Sequence, residues 1–286
     1  MEKRRFGNTC YRIAPVVFGG IINTNETQGD ANRFVAYAIE RGINYFDVAP
    51  TYGNAEERLG AALKPYRGDV YLACKTVERS AKKSKEELLT SLKLLKTDYF
   101  DVYQLHSIKN SNDVEVAFAA DGVMETIEWG KREGLIRKAG ITAHSEEFAL
   151  RCLELYDFDS VLFTLNWALA MLYDYGSKLA ETVKAKDIGF LIMKVLAHRM
   201  WHEGEERDYP KCWYKPVKLG GDLALAAMKH ALSKGADALV PPGNFNAFSY
   251  MLSHIDEAMA NPLSRDDVAL LKAEAEKIKG NELKLV

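Results

Sequence analysis

The chain has 286 residues, 48% hydrophobic and 27% charged, which is ordinary globular composition. A net charge of -2 advertises no nucleic-acid partner. Cys10, Cys74, Cys152 and Cys212 are scattered without CxxC spacing, which argues against a disulfide framework or a thiolate metal site. The first residues, MEKRRFGNTC, lack the apolar core of a signal peptide. The longest apolar run, 160 to 173, is too short to span a bilayer and contains Asn166. A cytoplasmic protein with no membrane partner is expected.

In chain order, residues 4 to 17 hold two short strand candidates around the Gly7-Asn8 turn signal, an N-terminal hairpin. Apolar strand-like runs follow at 16–18, 45–46, 70–73, 99–105, 138–141, 161–165, 190–193 and 238–240. Segments of helical period lie between them at 32–41, 85–95, 124–133, 146–155, 178–185 and 223–233. Alternating strand and helix about eight times predicts an α/β fold, a (β/α)8 TIM barrel. A doubly wound open sheet competes, but no GxGxxG turn follows the first strand. No break in composition divides 1–286, so one barrel domain is expected. Residues 197 to 217, rich in charge, Trp and Pro, read as an inserted loop shaping a substrate pocket. Residues 262 to 279 read as an extra C-terminal helix, with Ser264 as cap, Asp266 and Asp267 in the first turn, and Gly280 as stop.

The stretch GINYFDVAPTYGNAEERLG, 42 to 60, ends a short strand in Asp47 and carries Tyr52 in the loop before a helix. The third strand ends in Lys75 and the fourth in His106. Each polar group follows an apolar run, so all should emerge at the C-terminal rim, where parallel α/β proteins gather their catalytic groups. Taken singly, Lys75 could be a snorkelling surface lysine and His106 a structural histidine. Their joint placement at consecutive strand ends favours a site.

This stretch resembles the signature of the aldo-keto reductase superfamily, and the Asp47, Tyr52, Lys75, His106 order matches its catalytic tetrad. GLIRKAGIT, LIMKVLA and LVPPGNFN resemble family segments at the fifth, seventh and eighth strands. The resemblance implies a barrel that binds a nicotinamide cofactor and interconverts a carbonyl (aldehyde, ketone or sugar) and an alcohol by hydride transfer. Tyr52 would be the general acid and base. Lys75 would lower the phenol's pKa from about 10, Asp47 would hold Lys75 charged, and His106 would orient the carbonyl. The small-molecule substrate is the expected partner; oligomeric state is not legible. An alternative within the same family is a cofactor-binding regulatory or redox-sensing barrel with little turnover.

The resemblance also places the cofactor. Gly20 and Ile21 would lie against it after the first strand, beside Asp47. Thr142-Ala143 stands where many members carry Ser-Asn. A branch of the family reads Ser-Phe-His there, so Thr142 and His144 would share the task of holding the carboxamide. Leu162 replaces the usual Gln, leaving Asn166 to supply an amide. Met193 would contact the nicotinamide through its polarizable sulfur, and Lys194 would face the pyrophosphate or the pocket. Gly243, Asn244 and Asn246 belong to a loop leading into a helix whose amides suit a phosphate. NADP(H) is the family expectation; the absence of Lys or Arg between Val240 and His254 leaves NAD(H) open. His198, His202, Glu203 and Cys212 could suggest a metal, but pocket-side loop histidines are the simpler reading and no metal is expected. Trp167, Trp201, Trp213 and Tyr214 could line an aromatic pocket, or Trp167 could be core.

Overall fold

A computed structural model describes residues 1–285. The chain opens with strands β1 (Arg4–Arg5) and β2 (Arg12–Ile13), paired antiparallel. Parallel strands β3 (Phe18–Gly19), β4 (Tyr45–Asp47), β5 (Tyr71–Thr76), β6 (Phe100–Ile108), β7 (Ile136–Ala143), β8 (Ser160–Thr164) and β9 (Gly189–Met193) follow. An antiparallel pair, β10 (Ala197–Met200) and β11 (Tyr214–Pro216), then precedes the last parallel strand, β12 (Ala238–Leu239). The sheet runs β12-β9-β8-β7-β6-β5-β4-β3. Its two edges also meet: Val17 N donates to Leu239 O at 3.0 Å and Leu239 N to Pro15 O at 2.9 Å. That bond pair closes the ring and leaves no free edge.

The strands read as near-continuous apolar runs because both faces are covered. Tyr45, Ala73, Val102, Leu162, Leu191 and Ala238 fill the interior, joined by Phe6 and Ile13 of the N-terminal hairpin. Gly7 has φ 47, and a Cβ there would sit 2.2 Å from Gly189 N; the hairpin is pressed onto the start of β9. It plugs the N-terminal end of the barrel. The strand C-termini form the opposite rim.

Helices α1 (Gln28–Glu40), α2 (Ala55–Leu63), α3 (Ala81–Leu95), α4 (Ser111–Ala117), α5 (Val123–Arg132), α6 (Glu146–Leu155), α7 (Trp167–Tyr173), α8 (Ser177–Ala185), α9 (Asp222–Ser233), α10 (Phe245–Ala260) and α11 (Arg265–Ile278) complete the chain. Thr27 caps α1, accepting from Asp30 N at 3.1 Å, so this helix starts earlier than its apolar period indicates. Ser264 and Asp267 form a capping box on α11, and Gly280 follows with φ 89. Helix α7 escapes sequence reading because WALAMLY is apolar almost throughout, with Trp167 to Ala170 buried; it shows no period to detect. Residues 197 to 217, expected as a loop, instead contain the β10–β11 hairpin. Their strand character is masked by charge: Glu205 pairs with both Arg199 and Lys215. No helix among the described residues is long and apolar enough to cross a membrane.

Candidate active site

Adjacent strands deliver the site. Asp47 ends β4 and is 2% exposed; Lys75 near the end of β5 is 1% exposed. The Lys75 ammonium has three donors and meets three acceptors: the Asp47 carboxylate as an ion pair, Val48 O at 3.1 Å and the Tyr52 hydroxyl at 3.5 Å. Tyr52 is set by a turn, donating its N–H to Ala49 O at 3.0 Å, while its carbonyl accepts from the Thr24 hydroxyl at 3.0 Å. Gly53 follows with φ 58, a left-handed conformation that glycine adopts without strain. The Tyr52 and His106 rings stand edge to face, 6.0 Å between centroids at 86°. Asp47, Tyr52, Lys75 and His106 therefore share one rim.

Charge states follow from burial and neighbours. Burial drives the Tyr52 phenol above its ordinary value, and although Lys75 pulls it down, Asp47 adds to the rise. The net direction is upward, opposite to the effect expected of Lys75 alone, because desolvation of a buried phenolate outweighs one cation. Burial also opposes the Lys75 ammonium, yet Asp47 and Tyr52 hold it above the usual lysine range. His106 falls to about 2, through burial first and then the Lys75 charge. At neutral pH the trio is thus phenol, ammonium and neutral imidazole. The buried His106 Nδ1 has no partner in the protein.

Sequence reasoning missed Gln104, which is fully buried and donates Nε2 to Asp47 Oδ1 at 2.8 Å. The signal was present: Gln104 and His106 lie two apart on one strand and share its inward face. Arg79 was missed too; it donates to the His106 carbonyl at 2.6 Å and braces that strand end.

The residues proposed for a cofactor divide into two groups. Thr142 accepts from Ser107 N at 2.7 Å. His144 keeps a buried Nδ1 without a partner, and its pKa falls to about 4 through burial and then Lys194. Lys194 has φ 65 and lies 4.9 and 4.8 Å from the ring centroids of Trp213 and Tyr214; burial brings its ammonium down to about 8. Met193 is half-buried against the barrel interior. Gly20 rests on Val48, where a Cβ would meet the valine side chain at 2.9 Å, and Ile21 packs 3.2 Å from the place of a Gly243 Cβ. Gly20 thus packs the first rim loop on the residues that follow β4, and Gly243 brings the last rim loop against the first.

Two asparagines already serve the backbone. Asn166 is fully buried, accepts from Ala168 N and Leu169 N, and donates to Lys194 O and Ala197 O; its amide caps α7 and has nothing left for a ligand. Asn244 accepts from Asn246 N at 2.8 Å and Ala247 N at 3.1 Å, so the first amides of α10 are satisfied within the helix cap. Asn246 itself is exposed. His198 bonds Glu274 at 3.1 Å, and no three His, Cys, Asp or Glu among the described residues form a metal-holding group. Trp167 is core, and the Trp201 indole donates to Cys212 O at 2.9 Å.

His230 is 1% exposed with neither ring nitrogen partnered, and burial, then Lys234, lowers it to about 4. His106, His144 and His230 all have folded pKa values below the ordinary 6.5, so below pH 6.5 the unfolded chain binds more protons. Stability is present above that pH and is lost on acidification, by about 1.4 kcal/mol per pH unit for each imidazole until its folded pKa is reached. The urea midpoint is expected to fall clearly between pH 7.5 and 5.0; equal midpoints would contradict burial of neutral histidines.

Comparison with known proteins agrees with this architecture. The model of the aldo/keto reductase family matches residues 15–272. The oxidoreductase YqkF of Bacillus subtilis is 34% identical over 157 residues, covering 50% of this chain and 49% of that protein. The chain thus spans about half the length of that relative. L-galactose dehydrogenase of Arabidopsis thaliana is 28% identical over 254 residues, covering 82% of this chain and 76% of the plant protein. The holo form of an aldo-keto reductase from Bacillus halodurans matches in fold with a TM-score of 0.72 at 22% identity, over 99% of this chain and 98% of the other. With the family pattern running from the first barrel strand into the last helix, the chain belongs to the aldo/keto reductase family.

Proposed function

We propose that the protein is an NAD(P)-dependent oxidoreductase interconverting a small carbonyl compound and its alcohol, with Tyr52 moving the proton. The observation that carries this reading is the Lys75 ammonium lying between the Asp47 carboxylate and the Tyr52 hydroxyl, beside a neutral His106. Carbonyl reduction builds negative charge on oxygen, so its transition state needs a positioned donor and positive charge nearby. Tyr52 gives its hydroxyl proton to that oxygen, and Lys75 stabilises the phenolate left behind. His106, neutral, donates one hydrogen bond to the same oxygen and sets its direction.

A nicotinamide dinucleotide, when bound, supplies or accepts the hydride. The rim suits such a group: the unpartnered His144 Nδ1 can meet a carboxamide, and the Lys194 ammonium, held over two aromatic rings, can meet a phosphate. Between the two dinucleotides, NAD(H) is used at least as well as NADP(H). No cation lies between Val240 and His254, and Asn244 already occupies the α10 amides that would receive an additional phosphate. Sugars are a substrate class to test, given the plant relative's name.

The test is reduction of a nitrobenzaldehyde and oxidation of a sugar panel, followed at the nicotinamide absorbance with each cofactor. Turnover with NADH, at a kcat/KM no worse than with NADPH, is expected. No turnover with either cofactor would overturn the enzyme reading, and a hundredfold advantage for NADPH would overturn the cofactor assignment.

A further inference from the structure

We infer that Gln104 is a positioning residue for the proposed reaction: its amide fixes the Asp47 carboxylate so that Lys75 remains available to Tyr52. Gln104 of β6 is the register partner of Lys75 on β5, so both side chains project to the same inner face of the barrel. On the other side its register partner is Gly140 of β7. A Cβ at Gly140 would lie 3.0 Å from Gln104 Cγ and 2.5 Å from Ser160 Oγ. The missing side chain makes room for the glutamine to lie across the ring toward Asp47.

The two carboxylate oxygens of Asp47 have separate partners, Oδ2 with the Lys75 ammonium and Oδ1 with Gln104 Nε2 at 2.8 Å. A buried carboxylate needs both oxygens satisfied. Were Gln104 absent, Lys75 would be the remaining donor for both, and its nitrogen would be drawn toward Asp47 and away from the Tyr52 hydroxyl, already 3.5 Å distant. A cation at position 104 would compete with Lys75 for the carboxylate; a neutral amide does not. Gln104 also leaves its own Oε1 buried without a partner, a cost that a purely packing role would avoid with leucine.

This inference rests on Tyr52 acting as proton donor. The charged and titratable groups facing Tyr52 are Asp47 from β4, Lys75 and Cys74 from β5, and His106 from β6. Two variants test it, with kcat for reduction, its pH profile, cofactor Kd by fluorescence and Tm all measured. Gln104→Leu is expected to lower kcat about tenfold, as loss of one hydrogen bond to a charged group does. Its alkaline limb should move to higher pH as Lys75 leaves the phenolate, with cofactor Kd unchanged. Gln104→Glu, nearly isosteric, can donate to Asp47 while its new carboxyl is protonated. Its activity should then be lost as that carboxyl titrates, through a limb the parent lacks. Should Gln104→Leu fail to fold, the presence or absence of that limb decides. Gln104→Leu with the parent kcat and pH profile, or Gln104→Glu without a new limb, overturns the inference. If Tyr52→Phe abolishes turnover while the Gln104 variants behave like the parent, only the role of Gln104 falls; if Tyr52→Phe is fully active, the reaction reading itself has failed.

Discussion

Tyr52→Phe is expected to lower kcat for carbonyl reduction by about a thousandfold, the middle of the range for removing a general acid, while cofactor Kd stays within error. The hydroxyl touches Lys75 only at 3.5 Å, so its removal breaks one long hydrogen bond and leaves the fold and the rim loops in place. The phenol ring remains to pack edge-on against His106. What disappears is the proton. Because burial holds the phenol above its ordinary pKa despite Lys75, the parent enzyme keeps its acid form across neutral pH. Reduction should therefore be flat there, while oxidation, which needs the phenolate, should rise as pH increases. In Tyr52→Phe the rise of oxidation with pH should vanish with the activity. A variant retaining near-parent kcat would remove Tyr52 from the chemistry.

The second large effect concerns the pair behind the tyrosine. Lys75→Met is expected to destabilise the protein by about 3–5 kcal/mol, the usual consequence of leaving one partner of a buried ion pair without the other. Asp47 and Lys75 are 2% and 1% exposed, so water cannot screen the stranded carboxylate. Adding Asp47→Asn to that variant removes the charge yet preserves an oxygen for the Gln104 amide, and most of the lost stability should return. Turnover should not return, since the phenolate still lacks its cation. Denaturant melts of the parent, Lys75→Met and the double variant form the needed comparison. Equal stability of the single and double variants would show that the stranded Asp47 charge is not the source of the loss.

Much of this architecture could be read from residue order alone, for identifiable reasons. Strands buried on both faces must be apolar throughout, so eight such runs at regular spacing announced the barrel, and a lysine ending one of them stood out. Ser264, Asp267 and Gly280 were legible because caps act within four residues of the helix they end. Asp47, Lys75 and His106 were visible because each sits where an apolar run stops, and Tyr52 because it lies in the loop that follows Asp47. Other features needed the ring to close. Gln104 lies 57 positions from Asp47, and only strand register reveals that Gly140 clears its way. Asn166 and Asn244 looked available as ligands; folding commits both to helix N-termini through local hydrogen bonds that residue type permits but does not compel. The direction of the Tyr52 shift was equally a tertiary outcome. Chain order places a lysine beside a phenol, but the depth of burial decides which effect prevails.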